Sequence, residues 1–171
     1  MFIQLTEVFT SEGKQMNAEA ELEMTSFDNG TERFAITEKS PVSFTFTNLE
    51  KGKILVEGEM KLTLQAACDR CLTEVPVELE LHARRIVISP DVGTEDEEAD
   101  DLSFMEGYQL NVETFVYNEI IGNWPAKILC KSDCKGICPV CGQNRNLRDC
   151  GCDSFVPDPR MAGIQDIFNG K

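Results

Sequence analysis

Eight cysteines constrain this 171-residue chain more than any other feature. Six are crowded into one stretch, as Cys130, Cys134, Cys138, Cys141, Cys150 and Cys152, and the other two form Cys68-Asp69-Arg70-Cys71. What such a set does depends on the compartment. The stretch from Met1 to Glu7 lacks a basic region followed by an apolar run, and no segment approaches the ~20 apolar residues of a membrane helix. The expectation is a soluble, cytoplasmic chain with no membrane partner. In a reducing compartment an even number of clustered thiols reads as metal ligation before it reads as a disulfide framework.

The spacing sharpens this. Two residues between thiolates let both sulfurs reach one tetrahedral ion at ~2.3 Å while the backbone curls around it, so each such pair supplies half a site. In Cys138-Pro139-Val140-Cys141-Gly142 the proline restrains the entry and the glycine permits a positive φ. With Cys150 and Cys152 this makes a compact four-cysteine site. Cys68, Cys71, Cys130 and Cys134 are left for a second. A competing division groups Cys130, Cys134, Cys138 and Cys141 on one ion and Cys68, Cys71, Cys150 and Cys152 on the other; spacing alone leaves both open. Either way four thiolates close the coordination sphere, so two structural Zn2+ ions and no catalytic residues are expected.

Other readings fit less well. Cys134-x3-Cys138-x2-Cys141 matches the spacing of radical enzymes that hold a cubane iron–sulfur cluster, but that class needs a longer chain folded as a strand–helix barrel. A redox pair at Cys68 and Cys71 calls for a βαβ context, and the flanking sequence alternates as strands. His82 is the single histidine, so nucleophilic triads lack members and a surface or packing role is expected.

Period-two alternation fills the first 90 residues: Val42, Phe44 and Phe46, then Ile54, Val56, Met60, Leu62, Leu64 and Ala66, then Val75, Val77, Leu79 and Leu81. Asn48 to Gly52 reads as a hairpin connection, and a second hairpin is expected around Asp28-Asn29-Gly30, joining Ala18–Met24 to Phe34 and Ile36. Asn111 can cap a helix whose stripe is Val112, Val116, Ile120 and Trp124, ended by Pro125. The fold class expected is therefore α+β: an antiparallel strand-rich domain with one packing helix and a small C-terminal cysteine-rich zinc-binding tail. The expected boundaries are 1–126 for the acidic β-rich domain with its C-terminal helix, including an acidic mobile loop at 91–107, and 127–171 for the tail.

Net charge is −14, and it is unevenly spread. Residues 1–126 hold 9 Lys+Arg against 25 Asp+Glu, whereas residues 127–171 hold 7 against 5. An acidic domain repels a phosphate backbone. Any RNA contact is then expected on Lys127, Lys131, Lys135, Arg145, Arg148 and Arg160, and the acidic surface suits a basic protein.

Four stretches together carry a family likeness: Cys68-Asp69-Arg70-Cys71-Leu72; Trp124-Pro125-Ala126-Lys127-Ile128-Leu129-Cys130; Cys134-Lys135-Gly136-Ile137-Cys138-Pro139-Val140-Cys141-Gly142; and Asp158-Pro159-Arg160-Met161-Ala162. In this order they resemble the YceD family, also called DUF177. The chain departs from many relatives at Asn144-Arg145-Asn146, where arginine replaces a leucine between the asparagines. The resemblance implies a bacterial or plastid protein needed for accumulation of large-subunit (23S) ribosomal RNA, without established catalytic activity. By analogy it is a non-enzymatic ribosome biogenesis factor whose partner is a ribosomal protein, the large-subunit rRNA precursor, or both. The alternative from another class is an RNA-processing or thiol-redox enzyme using the cysteine sites; no paired-carboxylate motif or Gly-rich phosphate loop supports it.

Overall fold

The structure, a computed structural model, describes residues 1–50, 52–91 and 103–152. They divide into two compact units: Met1–Ala66 with Val75–Ala126, and Ala67–Glu74 with the chain from Lys127 onward. The architecture is α+β and antiparallel, as the alternation predicts.

Strand β6 (Lys53–Ala67) organises the first unit. Strand β5 (Val42–Glu50) pairs along its beginning, from Glu50↔Lys53 to Ser43↔Glu59. Strand β4 (Arg33–Lys39) pairs with it further on, from Lys39↔Leu62 to Ala35↔Gln65. Strand β7 (Glu74–Ile88) pairs with β6 as well. The even positions of β6 from Ile54 to Ala66 face inward, and Ile54, Val56 and Leu64 have no exposure at all. The odd positions carry a solvated cross-strand ladder with β7: Lys61–Glu80 at 2.6 Å, Glu59–His82 at 3.6 Å and Glu57–Arg84 at 3.8 Å. Polar pairs this exposed are screened by solvent and contribute little, so the buried face holds the sheet together.

Helix α2 (Val112–Gly122) covers that face within the same unit. Asn111 caps it, its side-chain oxygen accepting from the Thr114 N–H at 3.3 Å. The buried stripe is Val112, Phe115, Val116, Glu119 and Ile120, a wider face than intervals of four describe. Buried Glu119 is paired, the Arg85 guanidinium meeting one of its carboxylate oxygens twice, at 3.0 and 2.8 Å. Trp124 lies beyond the helix, with its ring 5.2 Å from Phe27 and 4.6 Å from Phe34. The helix seats where β6 has no side chain: a Cβ at Gly58 would lie 2.9 Å from Phe115 Cε1 and 3.2 Å from Phe44 Cε1. Both rings are buried, so neither can yield cheaply. Gly58→Ala is expected to destabilise the protein by about 1–3 kcal/mol through overpacking. Urea unfolding of the two proteins checks this, and unchanged midpoints would show that the rings do give way.

Two local expectations need correction. Gln15–Ala20 (β2) pairs with β5, not with β4; the hairpin around Asp28-Asn29-Gly30 instead joins Ser26–Asp28 (β3) to β4. Fully buried Phe27 anchors that short strand. Asn48 is not in a turn: β5 continues to Glu50, and Asn48 is buried, donating from Nδ2 to the Val8 carbonyl at 2.8 Å. It thereby fastens a short helix, α1 (Thr6–Thr10), that alternation could not announce. A second small sheet, Phe2–Gln4 (β1), Gln109–Asn111 (β9) and Met105–Glu106 (β8), was equally silent in the sequence. Of the stretch 91–107, the acids at 95–101 lie outside the described residues, while Phe104 is buried beside β8. Among the described residues no helix is long and apolar enough to cross a membrane.

Candidate metal centre

The second unit is built around its cysteines. Of the two divisions that spacing allows, the fold assembles Cys68, Cys71, Cys130 and Cys134 in one cluster and Cys138, Cys141, Cys150 and Cys152 in the other. Within each, all four sulfurs lie within 4.8 Å of one another. A tetrahedral ion ~2.3 Å from each sulfur sets the sulfurs about 3.8 Å apart. Cys68 and Cys134 are 3.8 Å apart and Cys71 and Cys130 3.5 Å, far beyond the ~2.05 Å of a disulfide. Each cluster could hold one metal ion.

Two knuckles of the same design present the sulfurs. In the first, Cys68 N–H donates to the Thr73 carbonyl at 2.8 Å and Leu72 N–H to the Cys68 carbonyl at 2.9 Å. In the second, Cys138 N–H donates to the Gln143 carbonyl at 2.8 Å and Gly142 N–H to the Cys138 carbonyl at 2.9 Å. The residue after the second cysteine takes a positive φ in both, 60° at Leu72 and 72° at Gly142. That conformation suits glycine and costs a branched or long side chain about 1–2 kcal/mol. Leu72 bears it while 66% exposed.

The residues between the first pair of cysteines close the unit. Asp69 clasps Ile128 twice, its carboxylate accepting from the Ile128 N–H and its own N–H donating to the Ile128 carbonyl, both at 2.8 Å. Arg70 donates from Nη1 to the Cys134 carbonyl at 2.9 Å, and its own carbonyl accepts from Ile137 N–H at 3.0 Å. Gly136 is needed beside that carbonyl for two reasons, a φ of 72° and a Cβ position only 3.0 Å from the Arg70 oxygen.

Backbone amides prepare the knuckle thiols for ionisation. Burial opposes the Cys68 thiolate, yet hydrogen bonds from the Cys130, Arg70 and Cys71 backbone outweigh it and lower the thiol to about 6. At Cys138 the Cys141 and Val140 amides do the same, again to about 6. Thr73 lowers Cys71, first through its hydroxyl, 3.3 Å from the sulfur. Cys130 is pushed up to about 12 by burial and by the neighbouring Cys71, Cys134 and Cys68 thiols, and Cys152 to about 12 by Cys141 and Cys150. A divalent ion at the centre removes that mutual repulsion, which is the chemistry a four-thiolate donor set is suited to.

Sequence reasoning missed the outer layer. Asn146 donates from Nδ2 to Cys134 Sγ at 3.2 Å and to Asn144 Oδ1 at 2.9 Å, while its own Oδ1 accepts the Lys135 N–H at 2.9 Å. Asn144 donates from Nδ2 to the Thr73 hydroxyl oxygen at 3.3 Å. Arg145 between them is exposed, so arginine in place of leucine leaves this packing intact. Lys127, Lys131, Lys135 and Arg148 are exposed as well, Lys131 lying 3.8 Å from Asp133; Arg160 and the Asp158–Ala162 string lie outside the described residues.

The model of the YceD family, described as large ribosomal RNA subunit accumulation protein YceD, matches residues 56–168, from β6 through both cysteine clusters. The chain belongs to the YceD family. YlbN of Bacillus subtilis, an uncharacterized protein, is 29% identical over 128 residues, covering 74% of this chain and 66% of YlbN. Uncharacterized proteins of Mycobacterium tuberculosis and Mycobacterium bovis are 26% identical over 90 residues, 52% of this chain and 44% of theirs. This YceD-family chain thus spans less than two thirds of the length of these relatives. No solved structure matches it.

Proposed function

We propose that this chain is a non-enzymatic, cytoplasmic factor in ribosome biogenesis, needed for accumulation of large-subunit (23S) rRNA, and that its two cysteine clusters each hold a structural zinc ion. The family match over residues 56–168 carries the reading. All-sulfur donors at tetrahedral spacing favour zinc over hard, oxygen-seeking cations. Four thiolates fill the coordination sphere and leave no place for a reacting water, which supports a scaffold in preference to a hydrolase. The ionisable Cys68 thiol is fully buried, whereas a redox nucleophile needs access. The partner is the large-subunit rRNA precursor, met by Lys127, Lys131, Lys135, Arg145, Arg148 and Arg160, a basic ribosomal protein on the acidic first unit, or both.

Depletion of the protein from cells is the test. Large-subunit rRNA is expected to fall relative to small-subunit rRNA, and purified protein to be colourless with two zinc ions per chain. Unchanged rRNA ratios would end the ribosomal reading; a brown protein containing iron would end the zinc reading.

A further inference from the structure

The two clusters differ in burial and are joined by one short loop. Cys68, Cys71 and Cys134 are buried, with Leu129 and Cys130 packed on them. In the other cluster only Cys138 is buried, and Cys141 is exposed. The loop from Gln143 to Asp149 lies between the ligand pairs of this outer cluster, so an ion there closes it. Yet the loop's asparagines serve the inner cluster: Asn146 donates to Cys134 Sγ, and Asn144 holds both Asn146 and the Thr73 hydroxyl beside Cys71. Two inner sulfurs therefore depend on side chains of this loop, which backbone bonds such as Arg145 N–H to the Gly136 carbonyl at 2.9 Å hold from one side and an outer ion would close from the other.

We propose that the outer cluster is an exchangeable zinc site that governs how firmly the inner cluster holds its own ion, with Asn146 and Asn144 as the positioning residues that carry the linkage. It rests on the reading that both clusters bind zinc. An N–H donor to a metal-bound thiolate fixes the sulfur's direction and holds it at the position that the ion requires. Outer-layer hydrogen bonds of this kind change metal affinity about 10–100-fold. Emptying the outer site frees the loop and withdraws them. The chain would then respond to zinc supply in two steps, losing the outer ion first and loosening the inner one as a consequence.

The test uses the full chain loaded with one zinc isotope, exchanged against an excess of another that keeps both sites filled, and followed by intact-protein mass spectrometry. Two phases of one ion each are expected in the native protein. Asn146→Ala should retain both ions and speed the slow phase about tenfold, leaving the fast phase unchanged. The double change Cys138→Ser with Cys141→Ser should abolish the fast phase and speed the slow one by a similar factor. A single phase for both ions in the native chain would overturn the proposal even where a variant fails to fold. A slow phase altered less than about twofold in both variants would also overturn it. Absence of bound zinc would refute the metal reading itself, a result distinct from two ions that exchange without linkage.

Discussion

Stripping both ions with a strong chelator is expected to unfold the second unit while the first stays folded. Among the described residues, the buried side chains of the second unit are mainly Cys68, Cys71, Cys134 and Cys138, with Ile128 as their aliphatic companion. Once the metal is gone, burying four sulfurs around one point offers little beyond repulsion between neighbouring thiolates, and the few remaining apolar contacts cannot offset chain entropy. The first unit has its own core: Phe27, Phe44, Phe46, Ile54, Leu64, Leu110 and Ile120 are all below 2% exposed. Hydrogen exchange should therefore show protection lost in 67–74 and 127–152 and kept in β5, β6 and α2. Serine at Cys138 alone should remove one ion of the two. Protection that survives chelation in the cysteine-rich segment would mean that packing, not metal, folds it.

The parts of this fold that alternation and spacing expose are those with many coherent residues. Six inward positions on β6 agree with one another, and so do two knuckles whose ligand spacing admits few arrangements. What escaped was decided by single residues. Asn48 looks like a turn former, yet β5 carries it inside, where its Nδ2 donates to the Val8 carbonyl. Phe27 pulls a three-residue strand out of what reads as a loop. Gly58 marks the seat of a helix that follows it by more than fifty residues in the chain, a relation no local pattern holds. The cysteine grouping was open in the sequence because spacing fixes which thiols can share an ion without fixing which do. Asp69 and Arg70 decide it, since they hold Ile128 and the Cys134 carbonyl against the first knuckle. The outer layer did leave a trace, in two asparagines one residue apart just after a knuckle glycine. They meet because the chain turns there, Leu147 N–H donating to the Asn144 carbonyl at 3.2 Å.

Acid is expected to release both ions, with a dependence that is already steep at neutral pH. Zinc binds thiolates, so every ligand that is protonated in the free protein must lose its proton when the ion enters, and apparent affinity then rises with pH in proportion to the protons displaced. Without its ions the second unit is unfolded, so the reference state is a set of solvated thiols titrating near the ordinary ~8.5. Below that value nearly all four ligands of a cluster are protonated, and each affinity falls by up to about ten-thousandfold per unit of pH lost. In the folded unit backbone amides lower Cys68 and Cys138 to about 6, while burial and neighbouring thiols raise Cys130, and neighbouring thiols raise Cys152, to about 12. A metal-free unit that stayed folded would therefore keep Cys68 and Cys138 ionised down to about 6, and each cluster would displace one proton fewer above that point than below it. Competition with a chelator of known proton affinity, measured between about pH 5 and 8, gives the slope directly, and calorimetry in buffers of different ionisation enthalpy counts the protons. A slope that steepens by one proton as pH falls through about 6 would show that the knuckle amides keep Cys68 and Cys138 preorganised without metal, and would overturn the unfolding expected on chelation.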